Sequence, residues 1–153
     1  MTVDGILFAR DTASADAILA HFSSGGTIRE ALLARGVDVL AYAEKLATRA
    51  TTFEAWRDAR LVGLVAAYLN DMTSGQAYIS NVSVLEDEHG KGIASALLRT
   101  CLDEAAVACF DVVALETAKR NAPALALYER LGFRACGRDG EIVRMALRLP
   151  LAG

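Results

Sequence analysis

The chain has 153 residues, 54% of them hydrophobic, which is enough to bury one sizeable core. Its net charge is −3 and both signs are mixed along the sequence, so no basic stripe is present that would favour nucleic acid. The apolar stretch 61–69 is too short to cross a bilayer, and residues 1–5 lack the features of a secretion signal. We therefore expect a single cytoplasmic domain over residues 1–153.

The first half of the sequence predicts a strand, helices and a pair of antiparallel strands. The predicted elements are a strand at 5–10, a helix from Ser14 to 25–26, a helical stretch over 27–50 broken near Gly36, and strands at 51–57 and 61–69. The composition of residues 70–75 is typical of a loop.

The second half alternates strands and helices. It predicts a strand at 76–84, a helix at 92–108, a strand at 112–116, a helix from Pro123 to Leu131, and a hairpin formed by 133–136 and 141–149. The two strands joined by the long helix should be parallel. The fold class is therefore mixed α/β, with a central sheet of about six to seven strands flanked by helices.

A loop with two glycines follows the strand at 76–84 and reads His89-Gly90-Lys91-Gly92-Ile93-Ala94. Such a loop exposes backbone N–H groups at the positive end of a helix dipole, where phosphate binds well. Gly90 and Gly92 lack the side chains that would keep a diphosphate away from the backbone. The loop predicts a ligand that carries phosphates.

Two nucleotide-binding motifs compete for this loop. The mononucleotide motif G-x-x-x-x-G-K-[ST] has a different spacing. The dinucleotide fingerprint G-x-G-x-x-G is approximated by residues 90–95, and Glu116 ends the next strand where a ribose-binding acid is expected. However, only one further strand–helix unit follows in this chain, which is few for a dinucleotide fold.

A second motif, Asn121-x-x-Ala124-x-x-x-Tyr128-x-x-x-Gly132-Phe133, lies further along the chain. Together with the glycine loop, it resembles the signatures of the GNAT superfamily of acetyl-CoA-dependent N-acetyltransferases. The resemblance covers roughly residues 82–133. It implies a sheet that splays between the fourth and fifth predicted strands, 76–84 and 112–116, and acetyl-CoA as the cosubstrate.

The resemblance also implies which residues bind the coenzyme. Backbone N–H groups from Gly90 to Ser95 would hold the diphosphate, the backbones of Val82 and Val84 would pair with the pantetheine arm, and the Asn121 side chain would reach that arm. The cofactor-binding set is Val82, Val84, His89, Gly90, Lys91, Gly92, Ile93, Ala94, Ser95 and Asn121. His89 replaces the Arg or Gln of the signature. The carboxylates at 86–88 should point to solvent, where screening limits their repulsion.

Two side chains are candidates for the chemistry. Leu115-Glu116-Thr117 is similar to a segment that carries a catalytic glutamate in some family members, so Glu116 is the candidate base, with a structural ion pair to Lys119 or Arg120 as the alternative. Tyr128 is the candidate general acid or hydrogen-bond donor to the departing sulfur. A core tyrosine is the alternative role for Tyr128.

The resemblance implies an amine substrate, either a small molecule or a peptide, and Ser80 and Asn81 are further candidates for contacting it. The alternatives to an N-acetyltransferase are a non-catalytic acyl-CoA-binding module and a small dinucleotide-binding protein. The three cysteines have no metal-ligand spacing and are expected to be buried thiols, so no metal site is predicted. No membrane or nucleic-acid partner is expected, and a homodimer stays open.

Overall fold

The computed structural model describes residues 2–3, 5–71 and 73–149, so the two ends of the predicted domain lie partly outside the described residues. The helices are α1 (Ala15–Ser23), α2 (Thr27–Ala34), α3 (Val39–Arg49), α4 (Ile93–Val107) and α5 (Ala122–Leu131). The strands are β1 (Thr2–Val3), β2 (Ile6–Arg10), β3 (Thr51–Arg57), β4 (Arg60–Tyr68), β5 (Gln76–Val84), β6 (Val112–Ala118), β7 (Arg134–Asp139) and β8 (Ile142–Arg148). A single 3₁₀ turn covers Glu86–Glu88.

The chain forms two compact units. Unit 1 comprises Met1–Ala66 and Asn81–Leu98, and unit 2 comprises Ala67–Ser80 and Arg99–Gly153. Strand β5 and helix α4 each contribute residues to both units.

Unit 1 contains strands β1 to β3, most of β4, the end of β5, the first three helices and the start of α4. Strand β2 pairs antiparallel with β3, with Leu7 opposite Trp56, and the Leu85 N–H donates to Val62 O. Ser14 caps α1, as predicted, because its hydroxyl accepts from the Ala17 N–H at 3.1 Å. The apolar core of this unit includes the buried side chains Ile18, Phe22, Ala43, Leu46, Phe53 and Leu64.

Gly63 on β4 allows the first turn of α4 to pack closely on the strand. A Cβ atom added at Gly63 would lie 2.6 Å from Ile93 Cγ2 and 3.3 Å from Ala55 Cβ. Both distances are shorter than ordinary van der Waals contact, so no larger residue fits without displacement. This glycine therefore helps to place the N-terminus of α4.

Unit 2 contains the start of β5 and the strands β6, β8 and β7, in that spatial order. Strand β5 is parallel to β6, as predicted, with pairs running from Gln76 opposite Val112 to Ile79 opposite Leu115. The parallel pairing ends there, although β5 runs on to Val84 and β6 to Ala118. This is the place where the resemblance predicts the splay.

The predicted order of elements and the mixed α/β class are confirmed. The described residues form eight strands because the two-residue β1 precedes the predicted first strand. Strand β6 extends two residues beyond Glu116, and β7 extends to Asp139, so the turn of the terminal hairpin lies at 140–141. These differences lie at strand ends, where sequence patterns are least informative.

Candidate active site

In unit 1 the glycine loop joins the 3₁₀ turn to α4. Gly90 and Gly92 have φ angles of +80° and +76°, which favour glycine, and a Cβ atom at either position would meet nothing within 4 Å. The Ala96 N–H donates to Gly92 O at 3.0 Å, so Gly92 closes the first helical turn. The first N–H groups of any helix have no carbonyl partner within it, which makes this an open, electropositive helix end.

Glu88 does not point to solvent, so the prediction for this residue is wrong. Its side chain is only 4% exposed and accepts two hydrogen bonds from Arg57, at 2.5 Å from Nε and 2.9 Å from Nη2. Lys91 Nζ donates to Glu88 Oε1 at 2.8 Å. These hydrogen bonds, chiefly those from Arg57, lower the pKa of Glu88 from 4.5 to about 2. A carboxylate can be buried here because two cations meet it.

The residues around Glu88 are more exposed than Glu88 itself, and some of them form ion pairs. Glu86 and Asp87 are exposed, as predicted, and Asp87 pairs with Arg60 at 3.0 Å. Lys91, which the resemblance places in the coenzyme-binding set, forms an ion pair with Glu88 at 2.8 Å. The rest of the predicted coenzyme set on this loop divides into buried Ile93 and half-buried Ala94 and Ser95.

His89 makes a contact with the end of β5. Its Nε2 lies 2.8 Å from Val84 O, and because a carbonyl only accepts, Nε2 carries the hydrogen. The exposed imidazole therefore ties the glycine loop back to the strand from which it emerges. Val82 and Val84 are both half-buried, and the Val84 carbonyl keeps a second lone pair.

A buried histidine that the sequence did not single out lies on α1. His21 is 1% exposed, its Nδ1 lies 2.8 Å from Leu61 O, and its Nε2 lies 2.8 Å from Ser83 Oγ. Ser83 Oγ is in turn 2.7 Å from Asn81 Oδ1. Burial lowers the pKa of His21 to about 4, so the ring is neutral at pH 7. The only sequence signal is its place between Ile18 and Phe22 on the apolar side of α1.

Glu54 on β3 is a second buried polar residue that the sequence reading missed. It accepts from the backbone N–H of Thr12 at 2.9 Å and of Ala13 at 3.0 Å, and from Trp56 Nε1 at 3.0 Å. The Thr12 and Thr52 hydroxyls also donate to it. Burial alone would raise the pKa of Glu54, but these hydrogen bonds outweigh burial and lower it. Glu54 thereby fixes the loop between β2 and α1.

A cavity of about 470 Å³ lies in unit 1 between α1 and the β3–β4 turn. Its lining residues are Ala17, Ala20, His21, Ser24, Trp56, Arg57, Asp58, Ala59, Arg60 and Leu61. The two arginines that line it are also the partners of Glu88 and Asp87. Their positive charge at the cavity is therefore largely neutralised.

In unit 2, helix α5 carries Asn121 and Tyr128 two turns apart. Asn121 caps the helix because its Oδ1 accepts from the Ala124 N–H at 3.3 Å, which leaves its NH₂ group as a donor. Tyr128 is 6% exposed, its ring packs edge-on against Phe133 at 6.0 Å, and burial raises its pKa to about 12. Its hydroxyl is therefore protonated at neutral pH. Pro123 in the first turn and left-handed Gly132 after the last residue bound this helix, as predicted.

Glu116 lies on β6 directly opposite Arg144 on β8, and one Arg144 guanidinium nitrogen is 3.9 Å from Glu116 Oε2. The sequence had suggested Lys119 or Arg120 as its ion-pair partner. The side chains of Glu116 and Arg144 are partly exposed, at 30% and 53%, so this ion pair stabilises the fold by at most about 1 kcal/mol. The carboxylate of Glu116 is therefore only loosely held by this partner.

The cysteines correct another prediction. Cys101 is buried, as expected, and burial raises its pKa to about 12, but Cys109 and Cys136 are exposed. The expectation was based on composition, but Cys109 lies in the turn that follows α4, and Cys136 lies on β7, the outermost strand of unit 2. Across residues 2–3, 5–71 and 73–149, no cluster of three metal-ligating side chains occurs. None of the helices in that part of the chain could span a membrane.

The sequence is similar to a family of known proteins. Residues 26–133 match the Acetyltransferase (GNAT) family. The N-acetylaspartate synthetase of Homo sapiens is 37% identical over 95 residues, which make up 62% of this chain and 31% of that protein. The chain thus spans about a third of the length of this curated relative.

Solved structures agree with the family match. A crystal structure from Pyrococcus horikoshii OT3 is 26% identical, with a TM-score of 0.73 over 95% of this chain and 99% of that one. A GNAT family acetyltransferase from Elizabethkingia anophelis, solved with acetyl-CoA bound, shares the fold at 18% identity, with a TM-score of 0.65 over 96% of this chain and all of that one. Because the family match covers well over half of the sequence and includes the glycine loop and helix α5, this chain belongs to the Acetyltransferase (GNAT) family.

Proposed function

We propose that this protein transfers an acetyl group from acetyl-CoA to a primary amine, directly and within a ternary complex. The observation that carries the proposal is the glycine loop. Both of its glycines are in left-handed conformations with open space beside them, and they lead into the N-terminus of α4. That arrangement suits a diphosphate, and it lies within the region that matches the family.

In this proposal the coenzyme is held mainly by backbone groups. The N–H groups from Gly90 to Ser95 bind the diphosphate, and the backbones of Val82 and Val84 pair with the pantetheine arm as an added strand would. Asn121 contributes its NH₂ group, since its oxygen already caps α5. Lys91 adds little charge to the site because Glu88 neutralises it. Binding should therefore depend more on the loop backbone than on Lys91.

The chemistry requires a neutral amine, because a primary amine with a pKa near 10.4 is mostly protonated at pH 7 and deprotonation costs about 4–5 kcal/mol. Glu116 takes that proton directly or through water, and the amine nitrogen attacks the thioester carbonyl carbon. The C–S bond then breaks, the excess proton on the attacking nitrogen passes to the departing thiolate, and the products are the acetylated amine and the thiol of CoA.

Tyr128 acts on the departing sulfur as a hydrogen-bond donor. With a phenol pKa of about 12 and a thiol pKa near 8.5, complete proton transfer to the thiolate would be uphill by about 5 kcal/mol. A hydrogen bond to the developing negative charge needs no such transfer and still stabilises the transition state. The buried phenol thus favours donation without full transfer.

The amine substrate is proposed only as a class. The human relative is named for synthesis of N-acetylaspartate, but this chain matches only 31% of its length. An amino acid such as L-aspartate is therefore one member of a test panel, beside glucosamine and a peptide with an N-terminal alanine. Ser83 and Asn81 lie on the strand that precedes the glycine loop and contact each other through a hydrogen bond, so they are candidates for contact with the amine.

The test measures release of free CoA thiol from acetyl-CoA in the presence of each amine, with mass spectrometry of the product. We expect thiol release that depends on the amine and equals the acetylated product. Thermal stabilisation by acetyl-CoA without thiol release from any amine would instead identify an acyl-CoA-binding module. Stabilisation by NAD(H) but not by acetyl-CoA would contradict the proposal and favour the dinucleotide alternative.

A further inference from the structure

Three side chains of unit 1 form a hydrogen-bonded row, and the chemistry of their atoms determines which atom donates and which accepts in each contact. His21 Nδ1 is 2.8 Å from Leu61 O, His21 Nε2 is 2.8 Å from Ser83 Oγ, and Ser83 Oγ is 2.7 Å from the Asn81 amide. Leu61 O can only accept, so Nδ1 carries a hydrogen. In a neutral imidazole Nε2 then has none, and it accepts from the Ser83 hydroxyl.

The Ser83 hydroxyl has one hydrogen, which cannot be donated to both neighbours. With Asn81 Oδ1 facing Ser83, both Nε2 and Oδ1 would need that hydrogen unless His21 were protonated. His21 is 1% exposed, and burial disfavours the charged ring. The consistent arrangement is a neutral His21, a Ser83 hydroxyl that donates to it, and an Asn81 amide whose NH₂ group donates to Ser83 Oγ. Oxygen and nitrogen of an amide occupy nearly the same volume, so the amide fits equally well in this orientation.

We propose that Asn81 binds the amine substrate through its carbonyl oxygen, Oδ1, and that His21 and Ser83 are positioning residues that keep this oxygen turned away from Ser83. The inference rests on the proposed function. Asn81 precedes Val82, whose backbone the same proposal pairs with the pantetheine arm. A half-buried carbonyl oxygen at this point accepts an N–H of the amine and leaves its lone pair free to attack.

Because the direction of these hydrogen bonds is fixed, Asn81 presents its carbonyl oxygen and is selective for a ligand that donates a hydrogen bond. If the Asn81 amide could rotate freely, it would offer a donor or an acceptor with similar ease. The charged groups around His21 are Arg60, which lowers the pKa of the ring, and Arg57 and Asp58, which line the same cavity. Arg60 opposes a positive charge on His21. The surroundings therefore support the neutral ring that the row requires.

The first arm of the test is spectroscopic and needs no substrate. The chain has two histidines, so ¹⁵N NMR of labelled protein, assigned with a His89→Gln variant, reads the tautomer of His21 directly. We expect the neutral ring with hydrogen on Nδ1 at pH 7. In Asn81→Asp, the carboxylate offers only acceptor atoms to Ser83, so the pKa of His21 should rise by more than one unit. A His21 that is protonated at pH 7 in the wild type, or unaffected by Asn81→Asp, would overturn the assigned polarity.

The second arm is kinetic and uses the best amine of the panel. Asn81→Ala should raise the KM for that amine at least tenfold while the Kd of acetyl-CoA changes less than twofold. Ser83→Ala, which frees the amide to rotate, should raise the same KM several-fold. Asn70→Ala is the matched control, because Asn70 lies in an exposed loop. Thermal midpoints close to the wild type would exclude unfolding as the cause.

Different results would contradict the proposed function and the proposed role of Asn81. If wild-type protein acetylates no amine, the proposed function fails and the inference with it. If the wild type is active and Asn81→Ala keeps the wild-type KM for the amine, the inference alone is wrong.

Discussion

The two units hold their polar side chains in different ways. In unit 1, buried polar side chains have defined hydrogen-bond partners: Arg57 and Lys91 donate to Glu88, and His21 contacts Leu61 O and Ser83. In unit 2, the buried Tyr128 ring packs on Phe133, and a guanidinium nitrogen of Arg144 is 3.9 Å from Glu116 Oε2. A preorganised charge set suits ligand binding, whereas a partly exposed carboxylate and a protonated, buried phenol suit the chemical step. We therefore expect unit 1 to govern coenzyme affinity and unit 2 to govern turnover.

The largest effect is expected for Glu116→Gln, which removes the proposed base. A positioned base contributes about 10²–10⁴-fold, so kcat at pH 7 should fall by about a thousandfold while the Kd of acetyl-CoA stays within twofold. Activity should partly recover at high pH, where more of the amine is neutral. Steady-state kinetics from pH 6 to 10 and calorimetric titration check both quantities.

Arg144→Gln is the control for the ion pair and should retain most of the activity. A Glu116→Gln variant with unchanged kcat would make this residue structural.

The next effect in size is that of Tyr128→Phe, which keeps the ring and removes the hydroxyl. Loss of one donor to developing charge typically costs about 10²-fold or more, so kcat should fall by about a hundredfold with acetyl-CoA binding unchanged. The buried phenol with its pKa of about 12 implies no loss of activity from ionisation of Tyr128 below pH 10. Tyr42→Phe is the matched control, because it keeps the ring that stacks on Phe22. Weaker acetyl-CoA binding in Tyr128→Phe would break the division between the units.

Local sequence patterns sufficed to predict helix α5 of unit 2 and the relative position of the side chains that it carries. Pro123 and Gly132 mark the ends of α5, and the seven-residue spacing of Asn121 and Tyr128 places them two turns apart. The two glycines likewise predict a loop whose backbone is open to a ligand. In each case the physical cause acts within a few residues, and it is therefore visible in one sequence.

The polar sets of unit 1 could not be read in the same way. Glu88 and Arg57 are 31 residues apart in sequence, Glu54 and Thr12 are 42 apart, and His21 and Ser83 are 62 apart. No periodicity relates such pairs, since they meet only after strands and helices have packed. A carboxylate in a run such as 86–88 looks solvent-exposed by composition, and only the approach of Arg57 makes burial of Glu88 favourable.

A smaller effect, centred on the coenzyme, is expected for Gly63→Ala. The added methyl group would lie 2.6 Å from Ile93 Cγ2 and must displace the first turn of α4, at a cost of about 1–3 kcal/mol. Because that turn carries the proposed diphosphate site, acetyl-CoA should bind several-fold more weakly, with kcat at saturation little changed. Chemical denaturation and calorimetric titration measure the two effects. Gly137→Ala is the control, since its added Cβ would be 3.9 Å from Arg144 Cβ, an ordinary contact. Wild-type affinity in Gly63→Ala would separate the close packing at Gly63 from coenzyme binding.

The smallest effect is one on the pH dependence of stability, and it concerns Glu88. Its folded pKa, about 2, is below the ordinary 4.5, so its contribution is complete above pH 4.5 and is lost as the pH falls toward 2. Glu88→Gln removes the charge at every pH, and at pH 7 it should destabilise the protein by about 2 kcal/mol, the usual range for hydrogen bonds to a charged group. Near pH 2 the variant and the wild type should converge.

Denaturation at a series of pH values tests the Glu88 prediction, with Glu86→Gln as the matched control in the same turn. Glu86 is exposed, so its variant should follow the wild-type curve throughout. Glu88→Gln also leaves Lys91 without its carboxylate, and a cation released beside the glycine loop should tighten acetyl-CoA binding slightly in low salt. Parallel acid-stability curves for all three proteins would mean that Glu88 contributes nothing through its charge, and the contrast between the two units would then lose its electrostatic basis.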